Sequence, residues 1–219
     1  MTRLAIIVPV LGRAHRVGPL LLSIAQGTTG VPHRVLFVCD ASDEATIDAV
    51  QAAQAGLAIV ADGTCYARKV NQGIAVTTEQ HVFTAADDLA FRPGWYEAAV
   101  ALMRPPVSVV GVNDLASRRG GAGGDPSPVL LRRPLVPPRP GGGPGGGLHE
   151  GYRHNFPDDE LVHTARSRGA IAFATDSIVE HLHPHYGKGE DDDTYRIGRA
   201  SFHDDRQTFR RRRAVHGWA

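Results

Sequence analysis

The chain has 219 residues, 42% of them hydrophobic and 21% charged, and carries a formal net charge of +1. That length can bury a sizeable core, and the composition is that of an ordinary soluble globular protein. The near-neutral balance excludes a whole-protein field suited to nucleic acid or an anionic membrane, and no apolar stretch of about 18 residues offers a membrane span.

Leu4-Ala5-Ile6-Ile7-Val8 is a continuous apolar run, the pattern of a parallel strand covered on both faces. It stops at Pro9, and Gly12-Arg13 forms a loop before an apolar helix from about Pro19 to Gln26. Arg34 to Cys39 reads as a second buried strand ending in Asp40. Ser42-Asp43-Glu44 resembles a helix cap, followed by Ile47, Val50 and Ala53 at helical spacing. Leu57 to Val60 is a third strand, Tyr66 to Val76 a helix, and His81 to Ala86 a fourth strand ending in Asp87-Asp88. A helix from Trp95 to Met103 and a strand from Val107 to Val110 follow. The alternation predicts a mostly parallel α/β sheet with helices on both faces.

Residues 111–151 hold most of the glycines and many prolines and read as a flexible loop, or as a lid ordered by ligand. A helix is expected from Pro157 or Asp158 to Arg168, then strands at Ala170–Ala174 and Ile178–His183, and a helical, charged tail from Asp192 to Ala214. The parts are thus a nucleotide-binding half at 1–110, the loop at 111–151, an acceptor-side catalytic part at 152–190 and a basic tail at 191–219. Arg210 to Arg213 form a cluster there, read as a solvated helix end or a contact to an acidic partner. Arginine outnumbers lysine 22 to 2, a skew expected of a GC-rich bacterial or phage genome. Cys39 and Cys65 lack metal spacing and read as reduced thiols, and no signal-peptide pattern opens the chain, so a cytoplasmic location is expected.

Chemistry-bearing residues fall where open α/β sheets bind ligands, at strand ends and helix starts. Paired acids at a strand end suit a hard divalent cation, which a diphosphate requires because carboxylates repel it directly. Adjacent side chains point apart, so one acid can face the metal while its neighbour supports a loop or sugar hydroxyl. Asp40 suits a nucleotide base or ribose, or a cap for the following loop. Arg68, Lys69 and Asn71 open a helix and would lie near a diphosphate. Asp158-Asp159-Glu160 either answer a helix dipole or supply a base for an acceptor hydroxyl. His181, His183 and His185 alternate, and one of them completing an oxygen-rich site fits better than a three-histidine zinc centre.

Together these segments resemble the family 2 glycosyltransferases of the GT-A fold. The likeness rests on Ile6 to Val10, Phe37 to Asp43, Ala67 to Ile74, Ala86-Asp87-Asp88 and Phe91 to Trp95. A weaker likeness, through Glu180 to Pro184, is to glycosyltransferases carried by bacteriophages. The family resemblance implies a nucleoside-diphosphate-sugar donor, with Pro9 and Asp40 against the base and Arg68 or Lys69 near the donor. Asp88 would bind Mn2+ or Mg2+ with Asp87 in support, His183 would complete the metal site, and Asp158 or Asp159 would be the base of an inverting displacement, with retention left open. Two departures stand out: the metal acids are adjacent rather than spaced, and the later motif is Asp158-Asp159-Glu160, so the base is not assigned to one residue. A sugar nucleotidylyltransferase and a non-catalytic nucleotide-binding scaffold are the rival readings. The acceptor is open.

Overall fold

The computed structural model describes residues 3–115, 128–135 and 147–218. Its sheet is built from β1 (Leu4–Pro9), β2 (His33–Asp40), β3 (Gly56–Val60), β4 (His81–Thr84), β5 (Leu89–Phe91), β6 (Val109–Asn113), β7 (Val129–Arg132) and β8 (Ile171–His181). The helices are α1 (Ala14–Gly27), α2 (Glu44–Ala52), α3 (Tyr66–Ala75), α4 (Trp95–Ala101), α5 (Pro157–Ser167) and α6 (Asp193–His216). Strand order is β3-β2-β1-β4-β7-β6-β8-β5. The first four positions are mutually parallel, β7 runs antiparallel to both β4 and β6, β8 is parallel to β6, and β5 closes the edge antiparallel to β8.

Alternation along the strands sorts apolar residues onto two faces. Leu4, Ile6, Val8, Phe37 and Cys39 pack with α1, α2 and α4 on one face, while Ile7, Leu36 and Val38 pack with α3 and α5 on the other. Trp95 anchors the first layer: it is fully buried, touches Phe83, Phe91 and Tyr96, and its indole N–H donates to Thr28 at 3.1 Å. On the second face α3 approaches β1 so closely that a Cβ on Gly73 would lie 2.4 Å from Ile7 Cγ2.

Three differences from the sequence reading matter. The segment 111–151, read as loop, contains β7, a buried strand inserted between β4 and β6; its stretches 116–127 and 136–146 lie outside the described residues. The two strands expected after α5 are one, because Thr175 to Ser177 form an irregularity opposite Val112 and Asn113 rather than a turn. The fourth strand ends at Thr84, so Asp87 and Asp88 ride on the short link to β5.

Candidate functional site

The acid pair sits beside the C-terminal ends of β1 and β4, where the β1–α1 loop, the end of β8 and the start of α6 converge. Arg13 ties these together. Its guanidinium donates to Asp87 Oδ1 at 2.6 Å and to both Asp192 oxygens at 2.8 and 2.7 Å, and lies 4.2 Å from the Tyr195 ring centre. Asp192 caps α6 by accepting the Tyr195 amide, and Thr194 donates to the Leu11 carbonyl at 2.9 Å, so the helix start is stitched to the β1–α1 loop. Burial pushes the Asp87 carboxyl up to about 6, against the pull of Arg13.

Asp88 is held differently. The Tyr195 hydroxyl donates to Oδ2 at 2.5 Å, His181 Nε2 lies 3.1 Å from the same oxygen, and the Leu182 amide donates to the Asp88 carbonyl at 2.8 Å. Burial opposes its charge, but the hydrogen bond and charge of His181 and the Tyr195 hydroxyl hold the carboxyl well below the usual carboxylate range. The His181 imidazole is raised in return: burial works against its proton, and Asp88 outweighs burial. Asp88 Oδ1 is buried and has no hydrogen-bond partner among the described residues. An ionised, partnerless buried oxygen fits one ligand position of a hard cation. Among the described residues no three His, Cys, Asp or Glu side chains form a metal cage.

The other expected site residues divide into groups. Lys69 and Asp40 are paired with each other, Nζ to Oδ1 at 2.8 Å, both about 95% or more buried, and Lys69 also donates to the Val10 carbonyl at 2.7 Å. That pair fixes the β1 and β2 ends, next to half-buried Pro9. Arg68 is exposed and bonds Glu150 at 3.1 Å. Asn71 donates to the Leu148 carbonyl at 2.8 Å and accepts its amide at 2.7 Å, gripping the backbone that returns after the glycine-rich segment. A Cβ on Gly147 would meet Asn71 Oδ1 at 2.0 Å, so only glycine lets this grip close. His183 packs 4.6 Å from Tyr195, ring to ring, and its Nδ1 accepts the His185 amide at 3.0 Å. In the neutral ring the proton is then on Nε2, so His183 presents a donor there rather than a lone pair.

Asp158 and Asp159 have different neighbourhoods at the N-terminus of α5. The charge of Asp158 is felt by Tyr66, His154 and His181, all of which also lie within the influence of Asp88 or bond to it. Asp159 acts on Tyr152. Glu160, the third acid, faces the interior, where Tyr152 donates to it at 2.6 Å and Arg212 grips it at 2.6 and 2.7 Å. Arg13, Asp192 and Tyr195 were not singled out from the sequence. Arg13 is one of 22 arginines, and Asp192 and Tyr195 lie in a polar stretch without a motif. The one local signal that could have pointed to them is the cap, in which the Asp192 side chain accepts the amide of Tyr195 three residues on.

Residues 5–129, more than half of the chain, match the sequence pattern of glycosyl transferase family 2. The chain belongs to that family. No curated protein matches it by sequence. Among solved structures, the family 2 chain is similar to a mannosyltransferase from Pyrobaculum calidifontis in complex with GDP-Man and Mn2+, at 19% identity and a TM-score of 0.61 over 83% of this chain and 57% of that one. S. aureus TarS (residues 1–349, with UDP-GlcNAc) superposes with 14% identity and a TM-score of 0.61 over 89% of this chain and 64% of that one. Glucosyl-3-phosphoglycerate synthase from Mycobacterium tuberculosis, in complex with Mn2+, UDP-Glc and phosphoglyceric acid, gives 15%, 0.56, 83% and 72% in the same order. The fold is therefore GT-A. This family 2 chain spans under two thirds of the length of the first two, and among its described residues no helix is long and apolar enough to cross a membrane.

Proposed function

We propose that the protein is a metal-dependent glycosyltransferase that moves a hexosyl group from a nucleoside-diphosphate sugar to an acceptor hydroxyl. The observation that carries this reading is the buried Asp88, whose charged form is favoured and one of whose oxygens has no hydrogen-bond partner among the described residues, on the acid turn of a family 2 chain. That three structurally similar proteins were solved with nucleotide sugars, two of them also with Mn2+, supports it, and family membership favours sugar transfer over nucleotidyl transfer. Asp88 would hold the cation, which when bound supplies positive charge to a departing nucleoside diphosphate. Asp87 and Arg13 hold the acid turn against the first loop, and the Lys69–Asp40 pair keeps the base-side strand ends in place.

Asp158, rather than Asp159, is the proposed base. It shares its surroundings with the groups around Asp88, and it would take the proton of the acceptor hydroxyl as that oxygen attacks the anomeric carbon from the face opposite the leaving diphosphate, giving inversion. Asp158→Asn should lower transfer by about a hundred- to ten-thousand-fold with donor binding kept, while Asp159→Asn stays near wild type. Steady-state transfer to an acceptor found by glycan and small-alcohol screening checks this. Wild-type turnover in Asp158→Asn removes it as the base.

A further inference from the structure

The C-terminal helix contributes directly to the acid turn. Tyr195, on the first turn of α6, reaches back 107 positions in sequence to donate to Asp88 Oδ2. The tyrosine is itself fixed on three sides. Asp192 caps its backbone, the Arg13 guanidinium lies over one face of its ring, and His183 packs edge-on against it. Arg13 in turn is clamped between Asp87 and Asp192 and is 4% exposed. The carboxylate thus has one oxygen held by Tyr195 and His181, and the other without a hydrogen-bond partner among the described residues.

We propose that Tyr195, backed by Arg13 and Asp192, is a positioning residue that holds Asp88 in the rotamer leaving Oδ1 to a divalent cation, so that α6 is a working part of the donor site. This rests on the metal-dependent reading above. A carboxylate free to rotate would share its proton-donor contacts between both oxygens and present the cation with a variable ligand. Partners of this kind, behind a ligand, commonly set metal affinity by about 10- to 100-fold.

The test is Mn2+ binding to the full chain, followed by water-proton relaxation with uridine diphosphate or guanosine diphosphate present. Tyr195→Phe keeps the ring against Arg13 and His183 and removes only the hydroxyl. It should weaken Mn2+ binding by about tenfold or more, with nucleoside diphosphate binding in chelator and the thermal midpoint close to wild type. Arg13→Lys keeps the charge but cannot bond Asp87 and Asp192 through a planar fork, and it should weaken Mn2+ binding in the same direction. Should Tyr195→Phe fail to fold, Arg13→Lys decides. Wild-type Mn2+ affinity in the folded variants overturns the positioning role while leaving the metal reading intact. No Mn2+ binding by the wild-type chain with either nucleotide overturns both.

Discussion

Single carboxylates organise much of the chain around the acid turn. Asp205, 2% exposed on α6, accepts the amides of Arg153, His154 and Asn155 at 2.8, 3.0 and 2.8 Å, and so shapes the loop that delivers Asp158. Burial opposes its charge, but these amides hold its carboxyl below the usual range. A depressed folded pKa means that this stabilisation is complete above the ordinary value of about 3.9 and is lost as pH falls through the lower folded value. Asp205→Asn should therefore cost about 1–3 kcal/mol at neutral pH and flatten the acid limb of stability, measured by urea unfolding between pH 7 and 3. An unchanged acid limb would remove Asp205 from that role. Asp87-Asp88 and Asp158-Asp159 stand out in the sequence because each is a pair of adjacent acids at the end of an apolar run or the start of a helix. Asp205 does not, since one aspartate among the charges of a surface helix carries no local mark of its three amide partners. A lysine on the helix after β3 reads as a phosphate ligand; in the structure Lys69 is paired with Asp40 at 2.8 Å, a long-range contact with no local mark in the sequence.

Elements with continuous apolar runs or clear caps were legible: β1, β2, α2, α3 and α5 appear close to their expected bounds. β7 was not, because Val129–Arg132 is four residues long inside glycine- and proline-rich sequence, and its partners β4 and β6 are defined only by long-range pairing. β8 was split in two by Thr175-Asp176-Ser177, whose polar character suggests a turn, although Ser177 is fully buried and donates to the Trp95 carbonyl at 2.6 Å. The close approach of α3 to β1 offers a test at this scale. Gly73→Ala drives a methyl into Ile7, which is itself fully buried and has no room to retreat, so stability should fall by about 1–3 kcal/mol in a chemical denaturation series. A midpoint equal to wild type would mean that α3 stands further from the sheet.

Across the whole molecule, the chain closes on itself. The sequence marks 191–219 as a helical basic tail; in the structure its helix α6 and the preceding cap bring Asp192 and Tyr195 to the acid turn, Asp205 to the loop before α5, and Arg212 to buried Glu160. Part of the arginine run is thereby internal pairing: Arg212 holds Glu160, and Arg213 donates to the Trp218 carbonyl at 3.1 Å. Long-range closure of this kind leaves no periodic trace in a sequence, whereas the GT-A half left five ordered motifs. The central claim, a cation-dependent transfer centred on Asp88, is tested most directly by release of nucleoside diphosphate from a panel of nucleotide sugars, with Mn2+, with chelator, and with Asp88→Ala. The account predicts release by the wild-type chain from at least one donor, abolished by chelator and by Asp88→Ala with the fold retained. Equal release by Asp88→Ala, or release that persists in chelator, would contradict it.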